Sequence, residues 1–502
     1  MEINTLDDLD KLELKIRQKI SKYRLGDVLY SLYEIKDSLR PFIAAGVALF
    51  AVRFSQPSIV NQNIEPLKNV QSIIELVTAY LLADPITFDE ELNNNFMGSN
   101  PAFVRLRLAC SQLPFKVSEF SQFSRPILLY HEIPNSLVGK AGIPKFDIHK
   151  EFLILNKVSI PEFINIGFAA SAFARNNFSF SLNWFEKLRS QGISLLDDKA
   201  ISQALYQLAG DQVKITTLYD KRKNSDRRFR MYDFNPLQTY PLIFPCKTKG
   251  FGNFGQDFMC APVPRLIDER MSLGIYYQLY NKFDQKFSNY FGYVLEEYLK
   301  LILNNSINSE KFIDIRDLGN HRKSKSPDYA IIDGSVAIVL ECKATKFTLA
   351  AKTISSEEAI NDSLGQVKKG LIQLDTFIKA RASNLDEFQE CSRFMPVLVT
   401  LEDDMLLIND VDFRDHINEL LKNEGIDNLD WQILSIGALE LLQPHLAAGI
   451  HLSQVLQDLK HKSFKRVLEE LTSQTRKSFK DSFLYPKQKE VYQRLNIPDR
   501  SE

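Results

Sequence analysis

Residues 326–343 read Ser-Pro-Asp-Tyr-Ala-Ile-Ile-Asp-Gly-Ser-Val-Ala-Ile-Val-Leu-Glu-Cys-Lys, and they narrow the possible folds more than any other stretch. Two runs rich in Val and Ile, as strands are, flank Asp333-Gly334. Asp-Gly is a favoured two-residue hairpin turn because both positions tolerate φ > 0. A turn centred on that pair sets Ile332 opposite Ser335, Ile331 opposite Val336 and Asp328 opposite Val339. Directly opposed residues share a face, and side chains alternate along each strand. Asp328, Val339, Glu341 and Lys343 therefore point the same way. Asp328 lies diagonal to Glu341, roughly 7–8 Å away between backbones, within reach of one shared ion.

Two carboxylates and an amine on one face of an apolar hairpin require a physical reason, since an unpaired buried charge is costly. A lone Glu-x-Lys is ordinarily a solvated strand end. Here Pro327-Asp328 precedes the turn, and both strands are apolar on both faces. A divalent metal would relieve the carboxylates: Mg²⁺ takes oxygen ligands and keeps several waters. Water on such an ion loses its proton more easily, and a nearby lysine can orient or deprotonate it.

The stretch resembles the PD-(D/E)xK nuclease superfamily, the restriction-endonuclease-like fold. The matching residues are Pro327-Asp328 and, on the returning strand, Glu341-Cys342-Lys343. The resemblance implies Mg²⁺ or Mn²⁺ held by Asp328, Glu341 and the backbone carbonyl of Cys342, with Lys343 positioning or activating the attacking water. The run Phe291-Gly292-Tyr293-Val294-Leu295-Glu296-Glu297-Tyr298 is similar to the first-helix pattern of many members, where a Gly is followed four residues later by a metal-facing Glu. That carries the role to Glu296. At 100° per residue, Glu297 lies nearer the edge of the apolar stripe, so it stays as the alternative. Gln373-Leu374-Asp375-Thr376-Phe377 is similar to a Gln-x-x-x-Tyr motif of one branch, with Phe in place of Tyr. That departure leaves Gln373 reading as an exposed side chain.

Basic residues around the hairpin suggest where nucleic acid would lie. His321-Arg322-Lys323-Ser324-Lys325 leads into Pro327, so Arg322 and Lys323 are candidates for contact with the scissile phosphate; Lys346, after the hairpin, is another. Two further basic runs, 220–230 and 460–480, fit either phosphate-contacting surfaces or solvated charge. The whole chain gives no such signal. Its 502 residues carry a net charge of −1, so nucleic-acid binding would have to be local.

The remaining composition is that of a globular protein, with 44% hydrophobic and 25% charged residues. Cys110, Cys246, Cys260, Cys342 and Cys391 form no Cys-x-x-Cys pair, and the seven histidines show no ligand spacing. The wide spacing and odd count fit reduced thiols and a cytoplasmic setting. Met1-Glu2-Ile3-Asn4 does not read as a signal peptide. The apolar stretch Phe42 to Phe54 is interrupted by Arg53 and too short to cross a bilayer, so it reads as a buried helix.

Apolar periodicity makes residues 1–235 a mostly helical domain, with helices near 66–83, 182–190 and 197–208. Ser159-Ile160-Pro161-Glu162 is a helix start. Four prolines between 101 and 155 suggest turns and short elements there. A cluster of Pro and Gly after Pro236 marks the domain change, and the nuclease-like domain is expected over 236–502 with its core at about 280–440. From residue 280 the order is helix, strand, hairpin, helix, strand, helix, strand. This predicts an α/β fold, a mixed central sheet flanked by helices.

The expected function is hydrolysis of phosphodiester bonds by a metal-dependent nuclease, on DNA more than RNA. The alternative is a non-cleaving nucleic-acid- or protein-binding module on a nuclease-like scaffold. The helical half would sense a signal or bind nucleic acid or a partner protein. Such a restrained nuclease fits bacterial defence against foreign DNA by analogy alone. Many superfamily members are dimers, so a homodimer is the corresponding expectation.

Overall fold

The computed structural model describes residues 3–58, 65–87, 89, 102–112, 121–190, 198–245, 258–307, 311–318, 326–380 and 382–494. It is a mixed α/β structure, 65% helical, with two small mixed sheets. The larger sheet has five strands in chain order: β1 (Phe312–Asp314), β2 (Tyr329–Asp333), β3 (Val336–Lys343), β4 (Arg393–Thr400) and β5 (Gln432–Ser435). β1 pairs with β2 and β2 with β3 antiparallel, and β4 and β5 continue parallel to β3.

Helices cover both faces, which is why β2, β3 and β4 are almost continuously apolar. One face carries Tyr329, Ile331, Ile338, Leu340 and Cys342 against Phe291, Val294 and Leu295 of helix α1 (Leu273–Asn304). The other carries Ala330, Ala337 and Val339 against Leu364, Val367 and Leu371 of helix α2 (Glu357–Ala380). Helix α1 is broken at Asp284, whose backbone sits at φ 45° and ψ −124°. Residues on both sides of the break pack into one apolar cluster, Phe146 meeting Phe283 before it and Phe287 after it.

The hairpin register differs from the expected one. Asp333 pairs with Val336 and Tyr329 with Leu340, so the two-residue loop is Gly334-Ser335. Gly334 takes φ +65°, the Gly-first arrangement of a tight hairpin turn. Asp333 is drawn away from the loop by tertiary contacts: its carboxylate accepts from the Ser453 N–H at 2.9 Å and meets His451 Nδ1. Continued to the hairpin's open end, the register sets Asp328 opposite Glu341 instead of Val339. The slip is two residues, so every side chain keeps its face.

In the first half, helices Leu6–Ile20, Leu25–Glu34, Pro41–Phe54 and Val70–Leu81 build one apolar cluster. Helix Pro41–Phe54 is buried, and no single described helix is long and apolar enough to cross a membrane. Ser159 and Glu162 form a full capping box on helix Ile160–Ala174. The proline-bearing region holds short helices, Ala102–Gln112, Ser121–Ile127, Ile133–Leu137 and Ile148–Asn156, with turns between some of them. Pro134 occupies the first turn of Ile133–Leu137, where its missing N–H costs little. Packing crosses the expected boundary near residue 235: Tyr219, Phe229 and Tyr232 share a cluster with Leu237, Ile243 and Leu266. Phe152 and Phe163 share another with Phe287 and Phe291.

Candidate active site

The open end of the hairpin gathers the acidic residues. Asp328 leads into β2, and its N–H donates to Leu340 O at 3.1 Å. One carboxylate oxygen, Oδ2, accepts the Cys342 N–H at 2.8 Å. Across the register stands Glu341, 1% exposed. Its Oε1 is paired with Lys343 Nζ, and its Oε2 accepts from Gln373 Nε2 at 2.8 Å. The same Gln373 amide also donates to Ser326 O at 2.6 Å, tying α2 to the segment just before Asp328. Gly370 allows this approach: a Cβ there would lie 2.6 Å from Leu398 Cδ1 and 3.6 Å from Cγ of both Glu341 and Lys343.

Glu296 comes from the other layer, on α1. Its Oε2 accepts from Arg316 Nη1 at 3.0 Å, and its backbone carbonyl accepts the Tyr329 hydroxyl at 3.1 Å. Arg316 is shared: it also donates to Asp314 at 2.9 Å and lies 3.5 Å from Glu297. Glu296 is in electrostatic contact with Asp328 and Lys343. Glu297 lies beside Arg316.

Negative charge exceeds positive in this buried space. Burial, then the Asp328 charge, push Glu296 up to about 8, against the pull of Arg316 and Lys343. Glu341 is pushed well above the usual carboxylate range by burial and by Asp328. Asp328 is raised too, by burial, although the Cys342 N–H and Lys343 favour its ionised form. Burial alone would lower the Lys343 ammonium, but Glu341 and Asp328 outweigh it and hold the lysine charged.

Cys342 belongs to the cluster through its main chain, whose carbonyl is the expected ion ligand and whose N–H holds Asp328; its thiol is buried among apolar side chains on the α1 face, and burial pushes it up. The basic sequence candidates do not join the cluster among the described residues. Arg322 and Lys323 lie outside the described residues. Lys346 turns away: its ammonium sits over the rings of Tyr276, Tyr277 and Tyr280, and its charged neighbours are Glu402, Lys352 and Asp284. In the run at 220–230, Arg227 pairs with Asp10, and Arg228 pairs with Asp89 and Asp226. Among the C-terminal basic residues, Lys460, Lys462, Arg466 and Lys477 are likewise paired with acids.

Two members of the site lie outside the expected set: Arg316, and Gln373, whose Gln-x-x-x-Tyr resemblance with Phe in place of Tyr reads as an exposed side chain. Arg316 sits in a single helical turn after β1 and carries no local signature. Gln373 reads as exposed, yet it lies three residues, about one turn, from Gly370 on the helix face that meets β3. A glycine and a glutamine on one face of a helix packed on a charged strand were the available signal.

The donor set suits a hard divalent cation: carboxylate oxygens only, with more acid than base around them. Asp328 Oδ1 and Glu296 Oε1 have no hydrogen-bond partner among the described residues. Glu341 differs, since Lys343 and Gln373 already engage both its oxygens. Among the described residues, no three His, Cys, Asp or Glu side chains stand ready grouped as an ion cage. Glu341 would therefore reach an ion only as Lys343 releases Oε1. No family model, curated protein or solved structure matches the chain.

Proposed function

We propose that the chain is a metal-dependent nuclease of the PD-(D/E)xK, restriction-endonuclease-like kind, hydrolysing phosphodiester bonds in DNA. One observation carries this reading: Asp328, Glu341 and Lys343 converge at one end of a hairpin, and Glu296 meets them from the covering helix. Asp328 and Glu341 would hold Mg²⁺ or Mn²⁺, with Glu296 beside them. When bound, the ion supplies Lewis acidity and lowers the pKa of a coordinated water. Lys343, held charged by its acidic neighbours, orients the attacking water and offsets charge developing on phosphate. The proton on Glu296 rests on Oε1, because Oε2 accepts from Arg316. Gln373 fixes the Glu341 carboxylate while Lys343 moves between it and the substrate. The test is cleavage of plasmid DNA with Mg²⁺ by the parent protein beside Asp328→Ala and Lys343→Ala. Equal cleavage by all three would remove the assignment.

One observation favours a second reading, a non-cleaving binding module on the same scaffold. The Lys343–Glu341–Gln373 network is complete without an ion. Calorimetric titration with Mn²⁺ separates the two: DNA binding without any metal binding favours the scaffold.

A further inference from the structure

A cavity of about 700 Å³ opens between the first-half helices and the segments that follow β3 and β4. Glu296, Asp328, Glu341 and Lys343 do not line it. Its cations fall into two sets. Arg53 is paired with Glu13, Arg125 with Glu440, and Lys352 with Glu402 and Asp404. Arg222, Arg230, Arg270 and Lys346 have no acidic partner at ion-pair distance among the described residues, although Arg230 stands in electrostatic contact with Asp233.

Arg270 is the informative one. It is 4% exposed, yet its Nε and Nη1 find no hydrogen-bond partner among the described residues. Only Nη2 is engaged, donating to Gln278 at 2.9 Å. A buried guanidinium with donors unmet is costly unless something supplies the missing acceptors. The nearest acid in sequence gives little relief: burial pushes Glu269 up to about 8, so at neutral pH it is largely an uncharged donor. Lys346 is in a similar position over its three tyrosine rings, with its closest centroid at 3.5 Å. Arg222 lies over Phe234 at 4.8 Å, and Tyr240 stands in electrostatic contact with both Arg222 and Arg270. The result is unmatched positive charge on an aromatic wall, in a volume suited to a small organic ligand. Guanidinium forks match phosphate oxygens bidentately, and three separate cations call for more than one negative charge.

We propose that this cavity binds a nucleotide-sized organic phosphate, its anionic groups held by Arg270, Arg222 and Lys346 and its planar part packed on the lining tyrosines. The proposal does not depend on the nuclease reading, because its readout is binding. The experiment is calorimetry on the full chain with ribonucleoside mono-, di- and triphosphates, inorganic pyrophosphate and a short single-stranded oligonucleotide. Saturable binding of at least one nucleotide is expected, weakened at least tenfold in Arg270→Gln and in Lys346→Gln and falling as salt rises. Arg222→Gln, at a half-exposed site, repeats the test should the Arg270 variant fail to fold. Four outcomes overturn the proposal: no heat from any nucleotide, equal affinity in the folded variants, pyrophosphate binding as tightly as the best nucleotide, or binding of the oligonucleotide alone.

Discussion

Glu296 and Tyr298 stand two residues apart on one helix and belong to opposite kinds of buried charge. Tyr298 joins a closed set: its hydroxyl donates to Glu440 at 2.6 Å, and Arg125 meets both Glu440 oxygens, at 2.7 and 2.6 Å. One carboxylate faces one guanidinium, and every strong group there has a partner. Glu296 joins an open set, in which three carboxylates face one lysine and an arginine shared with Asp314. The first arrangement stabilises the fold and has nothing left to bind. In the second, mutual repulsion and burial hold the acids toward their neutral forms, so an added cation has something to gain there.

The largest effect expected from this difference is on chemistry. Asp328→Ala or Lys343→Ala lowers Mg²⁺-dependent plasmid cleavage by roughly a thousandfold, about 4 kcal/mol of transition-state stabilisation. Glu440→Gln leaves the specific activity of the folded fraction within a few-fold. Agarose-gel rates for the three variants decide this, and comparable losses in all of them would erase the contrast.

Stability reverses the ranking. Arg125→Met leaves Glu440 buried without its cation and costs about 3–5 kcal/mol in chemical denaturation. Asp328→Asn removes one of several repelling charges and keeps an acceptor for the Cys342 N–H, so metal-free stability changes by less than about 1 kcal/mol. A loss in Asp328→Asn as large as that in Arg125→Met would mean the acidic cluster is structural after all.

Acidity sharpens the comparison further. Burial and Asp328 lift Glu296 from 4.5 to about 8. Between those values the folded chain holds a proton that the unfolded chain has released. The stability this group adds is therefore full below about 4.5 and lost as pH rises through about 8. A bound cation must displace that proton. Mn²⁺ affinity thus rises with pH, and Glu296 contributes about tenfold per unit at most to that rise, its share ending near pH 8, while Glu341, also raised, adds its own. Calorimetry at pH 6.5 and 8.5 should show this slope in the parent and a flatter one in Glu296→Gln; identical slopes would exclude Glu296 from the ion's surroundings. Between the two stability effects above lies Gln373→Ala, which removes one hydrogen bond to the Glu341 carboxylate and costs about 1.5–3 kcal/mol in chemical denaturation if Glu341 stays dry, less if water replaces the amide.

Much of the second half was legible because its signals are local. Alternating Val and Ile runs gave β2 and β3, and the apolar run at 394–401 gave β4. The face shared by Asp328, Glu341 and Lys343 survived a wrong register because strand periodicity is two. The register itself depended on Asp333 being held by His451 and Ser453, contacts more than a hundred residues away. No local pattern carries that information. The roles of Arg316 and Gln373 were not legible for the same reason, since each matters only through what the fold brings beside it. The prolines of the first half were weak guides: Pro134 stands in a first helical turn, where proline is tolerated, and Pro126 lies inside helix Ser121–Ile127.

The hydrogen bond from the Cys342 amide to the Asp328 carboxylate has one further consequence. It fastens an otherwise free rotor to the main chain of the neighbouring strand, so the position of the second oxygen is inherited from sheet geometry rather than chosen among rotamers. Anything seated against that atom meets a donor fixed to the tolerance of a β-ladder. Lengthening the side chain by one methylene, in Asp328→Glu, would move the oxygen without breaking the strand.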